Sequence, residues 1–114
     1  MNYVILVGRV GDQPKIIKTN KPVAKFSFAT NEYYKNKDGE NIIETEWHSI
    51  VFFQSVDYIE KNIKKGDLIF VQGKIVTRTW TNKEGEQHWA TEIIGKQIEL
   101  LKSNTKKEEN ETVF

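Results

Sequence analysis

Hydrophobic and polar positions along this chain alternate mostly as they do in strands. Tyr3–Val10 is an apolar run that stops at Gly11-Asp12, a turn signal. From Pro22 to Thr30 the period is two, with Val23, Lys25, Ser27 and Ala29 on one face and Ala24, Phe26 and Phe28 on the other. Lys35–Gly39 reads as a polar hairpin loop, and Glu44–Phe53 as a second two-faced strand. Ser55–Lys65 predicts a short helix, with Ser55 as N-cap, Val56, Ile59 and Ile63 at helical spacing, and Gly66 as the stop. Leu68–Thr81 and His88–Leu101 are strands on either side of the loop Asn82–Gln87. After Lys102 the pattern dissolves into charged tail, and no internal repeat is read.

Three strands, one short helix and two more strands predict an all-β fold. It is a five-stranded OB-fold barrel with its helix between strands 3 and 4 and a disordered C-terminal tail. The barrel domain spans residues 1–101 and the flexible tail residues 102–114. An SH3-like barrel competes, but it does not usually hold an 11-residue helix such as Ser55–Lys65 at that point. The first strand is apolar on both faces: Val4 and Leu6 on one, Tyr3, Ile5 and Val7 on the other. A strand covered on both faces need not alternate. Either it is central in the barrel, or a second subunit covers it.

Composition narrows the function. The chain has 114 residues, 17 Lys and Arg against 16 Asp and Glu, and a net charge of +1. Residues 1–101 carry 14 basic and 13 acidic side chains, so no acidic tail masks a basic core. Any hold on nucleic acid must come from local cations and stacking, which suits single strands better than duplex. No stretch approaches the ~18–20 apolar residues of a membrane span. No leader segment is read before Tyr3, so the expected location is cytoplasmic and nucleoid-associated, with no membrane partner. The absence of cysteine excludes a disulfide scaffold and Cys-based zinc sites, and no metal or other cofactor is expected.

The aromatics carry the chemistry. Trp47, Ser49, Val51 and Phe53 share one strand face; Lys74, Val76, Arg78 and Trp80 share another. His48, Ile50 and Phe52 face the opposite way, as do Ile69, Val71 and Ile75, which are read as core. An aromatic beside cations on a non-core face is a platform for bases, whose flat surfaces stack whatever the sequence. Asn2–Gly11, Thr45-Glu-Trp-His48, Lys65-Gly66, Val71-Gln-Gly73, Thr77-Arg-Thr-Trp-Thr81, Gly85 and Thr91-Glu92 stand in an order and spacing that resembles the bacterial single-stranded DNA-binding protein family.

That resemblance implies binding and protection of single-stranded DNA, without sequence specificity or catalysis, in replication, recombination and repair. It implies stacking on Tyr34 (where the family often has Trp), Trp47, Phe53 and Trp80. Arg78 and Lys65 match phosphate-contacting positions, and Lys25 lies on the face of Ser27. Ser49 and Ser55 stand where many members carry Arg or Lys. The family also implies self-association as a homotetramer, with a dimer as the alternative, through first-strand contacts at Val4, Ile5 and Leu6. His48, amid Ile50 and Phe52, reads as structural rather than as a metal ligand, and by resemblance as an assembly residue. The end of the chain, with Glu111, Thr112, Val113 and Phe114, is expected to recruit replication or repair proteins by its apolar tip and acids.

Two rivals have other chemistry. A metal-dependent nuclease needs converging carboxylates, and Glu44 with Glu46 or Glu84 with Glu86 read instead as solvated edges. An OB-fold primosomal or other replication accessory protein would bridge proteins and bind strand weakly, and such relatives tend to lose some of the aromatics.

Overall fold

A computed structural model describes residues 1–104. The expected tip, Glu111, Thr112, Val113 and Phe114, lies outside the described residues.

The elements run β1 (Val4–Val10), β2 (Lys15–Ile17), β3 (Val23–Lys35), β4 (Asn41–Phe52), α1 (Val56–Asn62), β5 (Leu68–Thr81) and β6 (Gln87–Lys102). Five of these strands close a barrel in the order β1-β5-β6-β4-β3, with β3 returning to β1. Neighbours are antiparallel except β4 and β6, which run parallel through Ile50↔Ile93, Val51↔Ile94 and Phe52↔Gly95. This is the OB barrel expected above, with the helix between its third and fourth barrel strands. The short β2 was not anticipated; it adds to the outer edge of β3 through Lys15↔Lys25 and Ile17↔Val23.

The period-two reading fixes the core. Ala24, Phe26, Phe28, Ile50, Phe52, Ile69 and Val71 are all buried, and Val56, Ile59 and Ile63 close the barrel from α1 and the residue after it. Phe26 and Phe52 lie stacked at 6.4 Å. Gly95 sits against the Phe52 ring, where a β-carbon would have no room. At Gly8 the same is true against the Ala29 carbonyl, so the glycine permits β1 to cross β3.

Three local expectations need correction. The helix ends at Asn62, short of Lys65, because Ile63 turns extended (φ −102°, ψ 124°) and still reaches the core. A separate turn follows, in which Asp67 accepts the Lys64 N–H at 2.8 Å and the Asn104 N–H at 2.9 Å; Gly66 takes its positive φ there. Ser55 occupies the N-cap position with φ +59° and makes no capping hydrogen bond. Ile75 is 48% exposed rather than core. β1 has ended by then (Val4 pairs with Gly73), and the Asn2 amide takes its place beside the Ile75 backbone, donating to Ile75 C=O and accepting from Ile75 N–H.

There is also a repeat, at the hairpin tips. Asn36-Lys-Asp-Gly-Glu40 and Asn82-Lys-Glu-Gly-Glu86 form the same turn. In each, the Asn side-chain oxygen accepts two backbone N–H groups, and the Gly has φ near +80°. An Asn that satisfies its own turn and a Gly that adopts the left-handed region without steric cost make both turns self-sufficient. They cap two long arms that extend past the barrel.

Candidate nucleic-acid interface

The outward face of β3 and β4 is built by their register. Ala29 pairs with Trp47, Ser27 with Ser49 and Lys25 with Val51. Trp47 is 62% exposed, and its ring lies so close over Gly11 and Ser27 that a methyl at Gly11 would meet it. Asp12 holds this corner, accepting both the Ser27 N–H at 2.9 Å and the Ser27 hydroxyl at 3.0 Å. The ring is therefore supported from below and open above.

Two grooves flank this face and meet at Lys25. One, of about 460 Å³, runs along Lys15, Ser27, Trp47 and Ser49. The other, of about 570 Å³, is lined by Phe53, Val76, Lys74, Arg78 and Glu92. Phe53 is 59% exposed. Val51 is buried although it shares this face, because Lys25 flanks it on one side and Ile94 on the other.

On β5, Trp80 is partly covered by its own neighbours. The Arg78 guanidinium lies 5.6 Å from its ring centre, and His88 across the hairpin stacks at 5.7 Å. Asn82 in the turn holds the His88 ring at 2.8 Å. Arg78 in turn donates to both oxygens of Glu92, at 2.7 and 3.1 Å, from a carboxylate that is almost wholly buried. This fork raises the Arg78 pKa. It holds the Glu92 carboxyl below its ordinary range, against the opposing pull of burial and with smaller help from the charges of Arg78 and Lys25. Arg78 is thus paired with Glu92 while its guanidinium lies over Trp80, and Lys25 and Lys74 are exposed.

The other expected residues fall elsewhere. Lys65 lies in the turn after α1 and lines neither groove. Tyr34 is half-exposed but sits on the reverse face of the β3–β4 arm from Trp47, opposite Ile42, and donates to Glu44 at 2.7 Å. That hydrogen bond is the main reason its pKa is raised. His48 faces the barrel side, hydrogen-bonded to Thr30 at 2.9 Å and tilted against Phe28. On β1, Val4 and Leu6 pack toward the core, whereas Tyr3, Ile5 and Val7 are more than half exposed. Of the strand's two apolar faces, then, one is the barrel's and the other is open.

Sequence reasoning placed Lys74 on this surface but missed Gly11, His88 and Glu92 as parts of it. For His88 a signal existed: the Asn82–Glu86 turn fixes Trp80↔His88 as a cross-strand pair. Among the described residues no group of three or more His, Asp or Glu is placed to hold a metal ion. Glu44 accepts a hydrogen bond from Tyr34 and Glu86 one from Asn82. No helix among the described residues is long and apolar enough to cross a membrane.

The profile of the "Single-strand binding protein family" matches residues 1–101. A "Single-stranded DNA-binding protein 1" of Xylella fastidiosa is 37% identical over 99% of this chain and 84% of its own length. A "Single-stranded DNA-binding protein" of Rhizobium meliloti is 34% identical over 82% of this chain but only 57% of its own length, so the chain spans little more than half of that relative. Among solved structures, a Plasmodium falciparum SSB in complex with ssDNA superposes with a TM-score of 0.81 at 36% identity, covering 89% of this chain and 95% of that one. The small single-stranded DNA-binding protein of Streptomyces coelicolor, at 20% identity and TM-score 0.71, covers 87% of this chain and 93% of that one, and shares the fold. With the profile running through the whole barrel and these relatives on either side of it, the chain belongs to the single-strand binding protein family.

Proposed function

We propose that this chain binds single-stranded DNA without sequence specificity, holding bases on exposed rings and phosphates on neighbouring cations, with no catalytic step. The observation that carries the reading is the outward face on which Trp47 and Phe53 stand open on either side of Lys25, with Lys74 across the groove. Stacking is sequence-tolerant because every base has a π-face, and a few lysines suffice for the backbone where stacking supplies most of the affinity. Its test is intrinsic Trp fluorescence titrated with oligo-dT. Strong quenching by single strands and weak quenching by duplex of the same length is the expected result; equal response to both refutes it.

The same reading extends to assembly. Of the expected contacts, Val4 and Leu6 pack against the core, while Ile5 with Tyr3 and Val7 forms an exposed apolar strip on β1 that a second copy of the chain would cover. The proposed state is a homotetramer, with a dimer as the smaller alternative. His48→Tyr should loosen it, since the larger ring overfills the space beside Phe28 and Thr30. Light scattering that finds a monomer at tens of micromolar for the unaltered chain excludes this assembly. The proposal includes a role in replication, recombination and repair, in the cytoplasm on the nucleoid. Recruitment of replication or repair proteins through Glu111, Thr112, Val113 and Phe114 belongs to the same proposal. If a chain lacking Thr112–Phe114 captures the same partners in a pull-down as the full chain, that part is wrong.

A further inference from the structure

We infer that His88 is a pH-operated cover on Trp80, through which the chain holds single strands more tightly as pH falls; this rests on the single-strand-binding reading above. The Asn82 side chain fixes the state of the imidazole. Its oxygen accepts the Glu84 and Glu86 backbone N–H groups, at 3.0 and 2.9 Å. That orientation turns its Nδ2 toward His88 Nε2, at 2.8 Å. An amide nitrogen donates and does not accept, so Nε2 is the acceptor and the neutral ring carries its proton on Nδ1. Held in this state, the ring lies against Trp80, 21° from parallel.

The β3–β4 arm shows that the turn does not require an imidazole. Two residues before Asn36 stands Tyr34, paired with Ile42, just as Trp80 stands two before Asn82 and pairs with His88. The same turn thus forms with an aliphatic side chain in the place of His88.

Imidazole is the side chain that ordinarily changes charge between about pH 5 and 8. A proton on Nε2 would set one N–H against another, and the Asn82 contact that holds the ring would fail. The Glu86 carboxylate, which accepts from the same Asn82 Nδ2 at 3.1 Å, is then the acceptor at hand. The charges around the ring act in the same direction. In the turn, Lys83 stands with Glu84 and Glu86; on β5, Arg78 is paired with Glu92 of β6. The tip therefore presents a net negative charge to a polyanion while His88 is neutral, and a protonated His88 cancels it. Uncovering Trp80 and cancelling that charge both favour the bound strand. By linkage, strand and proton then strengthen each other's binding.

The test titrates the full chain with oligo-dT by Trp fluorescence, from about pH 8 to about pH 5.5 at constant salt. Thermal unfolding and light scattering accompany each pH and variant. Affinity should rise about two- to fivefold as pH falls, the worth of one exposed ion pair. His88→Phe, which keeps a ring on Trp80 but takes no proton, should abolish the rise. Asn82→Asp, which keeps the turn's acceptor and offers His88 an oxygen instead of an N–H, should move the rise to higher pH. The ring-nitrogen NMR signals of His88 should show the Nδ1–H form at the upper pH. A wild-type chain that binds no oligo-dT at any pH removes this inference together with the reading beneath it. Wild-type binding that is flat with pH overturns this inference alone. So does a rise that persists in His88→Phe or follows a change in oligomer mass, and so does a proton found on Nε2 at the upper pH.

Discussion

Trp47→Ala and Trp80→Ala should each weaken binding to oligo-dT by about 1–3 kcal/mol, the worth of one base stack, while leaving the protein folded. Both rings are substantially exposed, so neither truncation opens the core. The two losses should differ in kind. Trp47 rests on Gly11 and Ser27 with its outer surface clear, so its removal takes away a ring and little else. Trp80 is stacked by His88 and approached by Arg78, so its removal also frees those two side chains. Comparing Trp80→Ala with His88→Ala separates the ring from its support. Two folded variants that bind like wild type would dismiss the stacking platform altogether.

The largest effect on stability is expected from Phe52→Ala, a loss of about 3–5 kcal/mol. Phe52 is fully buried, stacks on Phe26 and faces Gly95 across the parallel β4–β6 pairing. Truncation would leave a cavity at the place where these strands close the barrel. For a domain of typical stability, about 5–15 kcal/mol, that is a large share. Gly95→Ala strikes the same contact from the other side by forcing the Phe52 ring to move. Urea denaturation reads both. A Phe52→Ala midpoint close to that of wild type would show that the barrel closes without this ring.

The barrel was legible because its buried strands alternate cleanly: Ala24, Phe26 and Phe28 against Val23, Lys25 and Ser27 decide a face without further knowledge. Alternation says which side a residue takes but not where the barrel ends, and for that reason Ile75 was assigned to a core that stops short of it. The three-residue β2 has too few positions to show a period at all. Trp47, Phe53 and Lys25 could be placed by counting twos within a strand. Glu92 could not, since its partnership with Arg78 depends on the β5–β6 register. That register was in fact written in the Asn82 turn, and the matching Asn36 turn set Tyr33 and Tyr34 on opposite faces.

The parallel seam between β4 and β6 has a consequence for how the chain reaches its fold. Each arm is a hairpin of consecutive strands whose turn closes on its own hydrogen bonds, so either can assemble early from residues near in sequence. The seam instead joins Ile50 to Ile93 and Phe52 to Gly95, across α1 and the whole β5–β6 turn. Bringing such distant segments together has a loop-closure cost that only the finished core repays. Docking of the two hairpins is therefore expected to come late in folding. In native-state hydrogen exchange, amides on both sides of the seam should open together, as one cooperative unit, and only when the barrel itself comes apart.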